Sequence, residues 1–410
     1  MTFSRRRFLS TSAALALPWT PQFWQRIAQA ADPAGGAGAE TVLVVIQLSG
    51  GNDGLNTVVP YSDPAYAAAR PTLKLPADKL LKINADLAFH PSMTGFAKLL
   101  EKSQLAVVQG VGYPRPNRSH FTSMDFWHRG QLSETEPFGW IGRSTEHLPA
   151  GSTAVHVANG DSPLALRGPS SRNVTVRSLQ EFQLRVALKG DDPARRKVMS
   201  RFAETSSATP AGNSLLLDRI KLTAQETYRS ADKLREVSPE YKTSVSYPDT
   251  PLGKQLKLIA QLIAAGVRER LYYAEVGGFD THADQLDQHA ALLTQVSEAM
   301  TAFQDDIVAH GQQSRVLTMA FSEFGRRVKE NGSGTDHGAA SSLFLMGEKV
   351  VAGPIGTCPS LTDLDDGDLK FHTDFRSVYT TLLDDWLKLP AAEILGASFP
   401  KAALLRTASA

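Results

Sequence analysis

The chain has 410 residues, which at ~150 residues per domain admits two domains or one large domain with insertions. Hydrophobic residues at 42% and charged residues at 21% supply a sizeable core and exclude wholesale disorder, while Lys+Arg 43 against Asp+Glu 42 leaves a net charge of +1. Residues 1–30 hold Arg5, Arg6, Arg7 and Arg26 and no acid, so the remainder is near neutral at −3, which argues against nucleic acid as the main partner; the single cysteine, Cys358, excludes an intramolecular disulfide framework and a thiolate metal cluster.

In chain order, Ser4-Arg5-Arg6-Arg7-Phe8-Leu9 leads into an apolar stretch to Leu17 and ends at Ala28-Gln29-Ala30, the small-residue form that signal peptidases cut. That stretch is well short of the ~18 residues that span a bilayer, so no stable transmembrane anchor is expected. Paired arginines before Phe-Leu resemble the twin-arginine export signal, whose translocase carries folded proteins, so a periplasmic or secreted location is expected. Residues 1–30 are thus read as a signal peptide, 31–39 as a flexible linker, and 40–410 as the body.

The body opens with Thr41 to Leu48, a continuous β-branched run of the kind buried on both faces of a parallel sheet. Leu105 to Val111, Arg270 to Val276 and Ser314 to Phe321 read as further strands, each with an apolar-periodic stretch upstream. Leu286, His289, Leu292, Leu293, Val296, Met300, Phe303 and Ile307 recur at helical spacing, a stripe on one long helix, with His289 read as a core histidine. Strand, helix, strand at these lengths predicts an α/β fold, a mainly parallel central sheet between helices. The charged, break-rich stretch from about 161 to 249 reads as an inserted helical lobe, and Phe375 to Leu387 as a helix on the sheet.

In open parallel sheets, ligands bind beyond the carboxyl ends of the strands, where loops converge on a rigid frame. Behind the four predicted strands stand Ser49-Gly50-Gly51-Asn52-Asp53; then Arg118-Ser119-His120; then Phe279-Asp280-Thr281-His282; then Ser322-Glu323-Phe324-Gly325-Arg326-Arg327 and Asp336-His337-Gly338. Carboxylates and imidazoles without thiolates suit zinc, manganese, magnesium or calcium. Asp280 with His282 and Asp336 with His337, joined by Asp53 and Glu323, are enough for two ions at ~4 Å, with Ser119 as the candidate nucleophile. Arg118, or Arg326 and Arg327, would clamp a phosphate or sulfate by paired hydrogen bonds. Each signal also has a local reading: Asp53 in a turn, Ser119 capping a helix near Phe121 with Asn117 assisting, and Arg326 and Arg327 as surface charges.

Taken together, these motifs, with Thr373-Asp374-Phe375-Arg376, resemble a twin-arginine-exported bacterial family catalogued as domain of unknown function 1501, within the alkaline phosphatase and sulfatase superfamily. The resemblance implies a three-layer, alkaline-phosphatase-like sandwich whose strand ends hold one or two divalent metals beside a nucleophile. Under it, Asp53 matches the aspartate after the first strand, Ser119 the nucleophile, and Asp280 and His282 an Asp/His pair. Either Asp336 and His337 form the Asp-His-Gly motif, with His372 as the final ligand, or Glu323 holds the strand end and His337 stands in for the separate histidine. His120 is an additional candidate ligand, and the absence of a Cys-x-Pro-x-Arg motif excludes a formylglycine nucleophile. The function so implied is a metal-dependent hydrolase or transferase of a small-molecule or glycan phosphate or sulfate ester. The alternative is a non-catalytic envelope binding or assembly protein on the same scaffold.

Overall fold

A computed structural model describes residues 40–149, 152–170, 174–177 and 241–406. The signal and linker expected at 1–39 lie outside the described residues. No helix among the described residues is long and apolar enough to cross a membrane.

Among the described residues, fourteen strands occur in chain order: β1 (Val42–Leu48), β2 (Val58–Val59), β3 (Leu81–Lys82), β4 (Ala88–Phe89), β5 (Leu105–Gly112), β6 (Ala154–Val157), β7 (Val174–Thr175), β8 (Leu271–Val276), β9 (Val316–Phe321), β10 (Ser341–Met346), β11 (Gly353–Ile355), β12 (Leu364–Asp365), β13 (Asp368–Leu369) and β14 (Thr373–Asp374). Nine of them form the central sheet in the order β11-β5-β10-β9-β1-β8-β6-β7, with β14 on β5. Only β10 runs antiparallel to its neighbours; β1 is parallel to both β8 and β9. The four strands expected from sequence are β1, β5, β8 and β9, and three of them lie side by side at the centre.

Alternation along β1 shows why the run carries no polar face. Val42, Val44, Ile46 and Leu48 pack into one apolar cluster with Phe96, Leu256, Leu293 and Phe303, while Leu43 and Val45 pack into another with Trp127, Trp140, Phe375 and Leu383. The first cluster is covered by the helices Thr94–Glu101, Pro251–Ala264 and Gln285–Ala309, the second by His120–Arg129, Trp140–Thr145 and Phe375–Thr381. The result is the three-layer α/β sandwich expected from the residues. Because every strand but β10 points the same way, the loops after β1, β5, β6, β8 and β9 all emerge at one edge.

The region expected as a lobe, about 161–249, is anchored to this body at both ends. β7 pairs parallel with β6, and at the other end the hydroxyls of Tyr241, Thr243 and Tyr247 all donate to the buried Asp306 of the long helix. Residues 178–240, where the rest of the lobe is expected, lie outside the described residues.

Candidate functional site

Three imidazoles meet one carboxylate at the carboxyl edge of the sheet. Asp280 Oδ1 stands 3.1 Å from His282 Nε2, 3.1 Å from His337 Nε2 and 3.4 Å from His120 Nε2. His282 Nε2 and His337 Nε2 are 2.9 Å apart. Ligand atoms of His120, Asp280 and His337 lie within 4.8 Å of one another, the one such group among the described residues, with His282 at its margin.

The chain's backbone makes this convergence possible. His120 opens the helix His120–Arg129 after β5, and Asp280 follows the glycine pair that ends β8. Gly50, at φ +121°, lets the end of β1 run against this loop; a Cβ there would stand 2.4 Å from the Asp280 nitrogen. His337 sits opposite Arg326 in an isolated bridge that folds the 326–337 loop back on itself. Beneath the rings, the buried Phe324 faces both His120 and His337 at centroid distances of 4.9 and 5.0 Å.

Behind each ring stands an oxygen that can only accept. His120 Nδ1 is 2.7 Å from Glu323 Oε1, His282 Nδ1 is 3.3 Å from Asp336 Oδ1, and His337 Nδ1 is 2.8 Å from the Arg118 carbonyl. Those acceptors assign the proton to Nδ1 in all three rings, which turns each Nε2 toward Asp280. His120 Nε2 is buried with no hydrogen bond. The Glu323 hydrogen bond raises the His120 pKa, burial lowers it, and the charges of Glu323 and Asp280 tip the balance upward. Burial alone would raise the Asp280 carboxyl, but the hydrogen bond from Arg326, the close approach of His337 and the charges of Arg326 and His120 bring it to about 2.

The structure redistributes the residues expected from sequence. Asp280, His282, His337 and His120 come together. Glu323 does not point at the cluster: its carboxylate accepts from the Gly50 N–H at 2.9 Å, from His120 and from the Ser322 hydroxyl at 2.9 Å, so it supports a ring from behind. Asp336 likewise backs His282 and accepts from Asn331 Nδ2 at 3.0 Å.

Asp53 is the clearest departure. A carboxylate offers about four acceptor positions, and here all are filled: Leu55 and Asn56 N–H on Oδ1, Arg70 and Gln285 on Oδ2. It is fully buried as the N-cap of Gly54–Thr57 and is not a ligand in this arrangement. With Asp53 and Glu323 engaged elsewhere, the expected centre for one or two ions comes down to a single cluster among the described residues. His372 is exposed and packs beside Gly110 of β5.

Ser119 is the exposed N-cap of the His120 helix; its N–H donates to Asn117 Oδ1 at 2.8 Å, and its hydroxyl makes no hydrogen bond among the described residues. Arg118 is half-exposed and engaged by the β12–β13 hairpin: Nε and Nη2 donate to Asp368 Oδ2 at 2.8 and 2.5 Å, and Nη2 to Asp366 at 2.9 Å. Arg326 is buried rather than a surface charge. It donates to Asp280 Oδ1 at 2.7 Å and to the carbonyls of Gly50, Gly51, Phe279 and Thr335, tying the loops after β1, β8 and β9 together. Nothing in the spacing of the motifs separated Arg326 from Arg327, or marked the Arg118 carbonyl as a support for His337.

The donor set, three imidazole nitrogens and one carboxylate oxygen, fits a borderline divalent ion such as zinc better than calcium or magnesium, which take oxygen shells. Donor atoms on a tetrahedral zinc stand about 3.3 Å apart, and four of the six donor pairs here lie at 2.9–3.4 Å, with His282 outside the group whose atoms all fall within 4.8 Å of one another.

The family model described as "Protein of unknown function (DUF1501)" matches residues 40–382. No curated protein matches the chain by sequence. Among solved structures, the chain is similar to the PsFucS1 sulfatase from Pseudoalteromonas sp. (10% identity, 91% of this chain and 72% of that one, TM-score 0.39). It is also similar to a protein in the alkaline phosphatase superfamily from Vibrio parahaemolyticus (10% identity, 80% and 68% of the two chains, TM-score 0.34).

Proposed function

We propose that this chain, which belongs to the DUF1501 family, is an exported hydrolase or transferase of a phosphate or sulfate ester, built around one divalent ion held by His120, Asp280, His337 and His282. The observation that carries the reading is the convergence of three Nε2 atoms, each with its Nδ1 fixed from behind, on Asp280 Oδ1. Lone pairs 2.9 Å apart repel unless a proton or a cation lies between them, and four ring and carboxylate groups are spent on making that meeting point. A bound ion would supply Lewis acidity toward an ester oxygen.

The residues around it divide the remaining work. Ser119 places a solvent-open hydroxyl one residue from His120, on a loop pinned by Asn117, and is the nucleophile of this reading. Arg118 spends Nε and Nη2 on the hairpin; its Nη1 carries no bond among the described residues and is the edge left for an ester oxyanion. Arg326 holds the Asp280 carboxylate in place and ionised.

Metal analysis of purified protein tests the centre: about one zinc-like ion per chain is expected, lost in His337→Ala. A screen of phosphate and sulfate esters then compares native protein with Ser119→Ala; turnover unaffected by that change, or metal content unchanged by His337→Ala, removes the reading. A second reading, a closed structural ion in a binding or assembly protein, is favoured by His282, because four protein ligands leave no open position. His282→Ala discriminates: metal lost as completely as in His337→Ala, with no turnover in any protein, selects it. Export by the twin-arginine translocase is part of the proposal and rests on Ser4 to Leu9; Arg5, Arg6 and Arg7 all changed to Lys should leave the precursor inside the cell.

A further inference from the structure

The parallel edge carries a second crevice, above the ends of β1, β6 and β8. A cavity of about 520 Å³ there is lined by Ser49, Asn159, Gln255, Glu275 and Gln295, with Pro251 at its rim. Glu275, near the end of β8, is held by its backbone: its N–H donates to Gln255 Oε1 at 2.9 Å and its carbonyl accepts from Gln255 Nε2 at 3.0 Å. The carboxylate itself, about one-third exposed, has no lysine or arginine partner among the described residues. The nearest ionisable group is His156 of β6, whose Nε2 is 3.9 Å from Glu275 Oε1. Burial holds His156 down at about 4, so it is neutral at pH 7 and brings no charge.

Two buried polar atoms near this carboxylate have no partner among the described residues. His156 Nε2 is buried without a hydrogen bond, and so is Oε1 of Gln295 on the long helix. Ser49 Oγ already accepts from Gln47 Nε2 at 2.6 Å. The first turn of the helix behind Pro251 is not an open anion site, because Thr250 Oγ1 accepts from the Gly253 N–H at 3.1 Å. What Glu275 lacks among the described residues is a cationic partner.

We propose that this cavity binds a primary ammonium group, as carried by an amino sugar or an alkylamine, with Glu275 as its counter-ion and Gln295 as a further acceptor. An ammonium brings three N–H donors and one positive charge, enough to pair the Glu275 carboxylate and reach the unpartnered Gln295 Oε1. A neutral polyol would supply donors and leave the carboxylate unpaired; an anion would meet it in a partly desolvated site. None of these residues touches the histidine cluster, so the site stands whether or not the cluster holds metal.

The test is calorimetry and thermal-shift titration of the full chain with ethanolamine and with ethylene glycol, which differ only in ammonium against hydroxyl. Saturable ethanolamine binding is expected, with ethylene glycol at least tenfold weaker. Glu275→Gln, which keeps the shape of the side chain, should weaken ethanolamine at least tenfold and leave metal content as in the native protein. Gln295→Met, away from the strand, should weaken it severalfold and serves if the first variant does not fold. Equal binding of the two probes, no saturable binding, or native affinity in Gln295→Met overturns the proposal. So does Glu275-dependent binding of calcium, or of sulfate, in place of ethanolamine.

Discussion

At the scale of single residues, the groups behind the rings separate support from ligation. Glu323→Gln keeps an acceptor near His120 Nδ1 but removes the charge that orients the ring and raises its basicity. Its zinc affinity, measured by chelator competition, should fall about 10–100-fold, the usual effect of such a partner, where His337→Ala should abolish binding. Equal loss in both would return Glu323 to the ligand set. Asp53 calls for the opposite reasoning, since its partner is Arg70 and both are fully buried. Removing the cation in Arg70→Met leaves a buried carboxylate uncompensated, which should cost about 3–5 kcal/mol in urea unfolding. Burial works against ionisation of Asp53, but Arg70 outweighs it and folding lowers the pKa. The pair's contribution is therefore complete above the unfolded value, ~3.9, and disappears as pH falls through the lower folded value. The clustered residues Asp280, His282 and His337 were legible because each lies just past a recognisable strand or in a glycine-framed turn. Asp53 met the same criterion and failed it, because position in a turn does not reveal a partner, Arg70, that arrives 17 residues later to fill the carboxylate.

At the scale of elements, what sequence conveyed followed from burial. β1, β8 and β9 are apolar on both faces and could be read as strands from composition alone, whereas β6 and β7 are short and β10 opens on Ser341-Ser342, too little pattern to declare a strand. The stripe from Leu286 to Ile307 marked the long helix Gln285–Ala309, but not how closely it meets its neighbour. That contact is set by Gly95 of the helix Thr94–Glu101. A Cβ at Gly95 would lie 2.3 Å from Thr301 Oγ1 and 2.8 Å from the Ser297 carbonyl, while the next N–H, of Phe96, donates to Ser297 Oγ at 3.1 Å. In an isolated helix Gly→Ala stabilises by about 1 kcal/mol. Here overpacking opposes it, and Gly95→Ala should instead lose about 1–2 kcal/mol by denaturant midpoint. A stabilised variant would mean the two helices can separate without loss.

At the scale of the whole molecule, the three-layer arrangement buries histidines outside the cluster, and of the ten only His289 was marked as structural by the sequence, through its place on the apolar helix stripe. His289 pairs with Asn52 Oδ1 at 2.9 Å and His128 with Gln47 Oε1 at 2.7 Å, while His90 and His156 are enclosed near the sheet. Burial lowers all four: His128 to about 3, and His90, His156 and His289 to about 4. In the unfolded chain each would bind a proton near pH 6.5, so between that pH and the folded values the unfolded state holds more protons. Acid therefore favours unfolding, and the loss begins well above the range in which Asp53 titrates. Each unit of displaced pH is worth about 1.4 kcal/mol per group, so at pH 5 His128 and His289 alone cost about 4 kcal/mol, with His90 and His156 adding in the same direction. Against a total of ~5–15 kcal/mol for a folded domain, that is a large share. Urea unfolding should accordingly weaken steeply from pH 7 to pH 5, above the range in which Asp53 titrates. His128→Gln, which keeps an amide to meet Gln47 and cannot titrate, should flatten that slope by about one proton; a slope unchanged in the variant, or stability level from pH 7 to pH 5, would show that these rings are protonated within the fold.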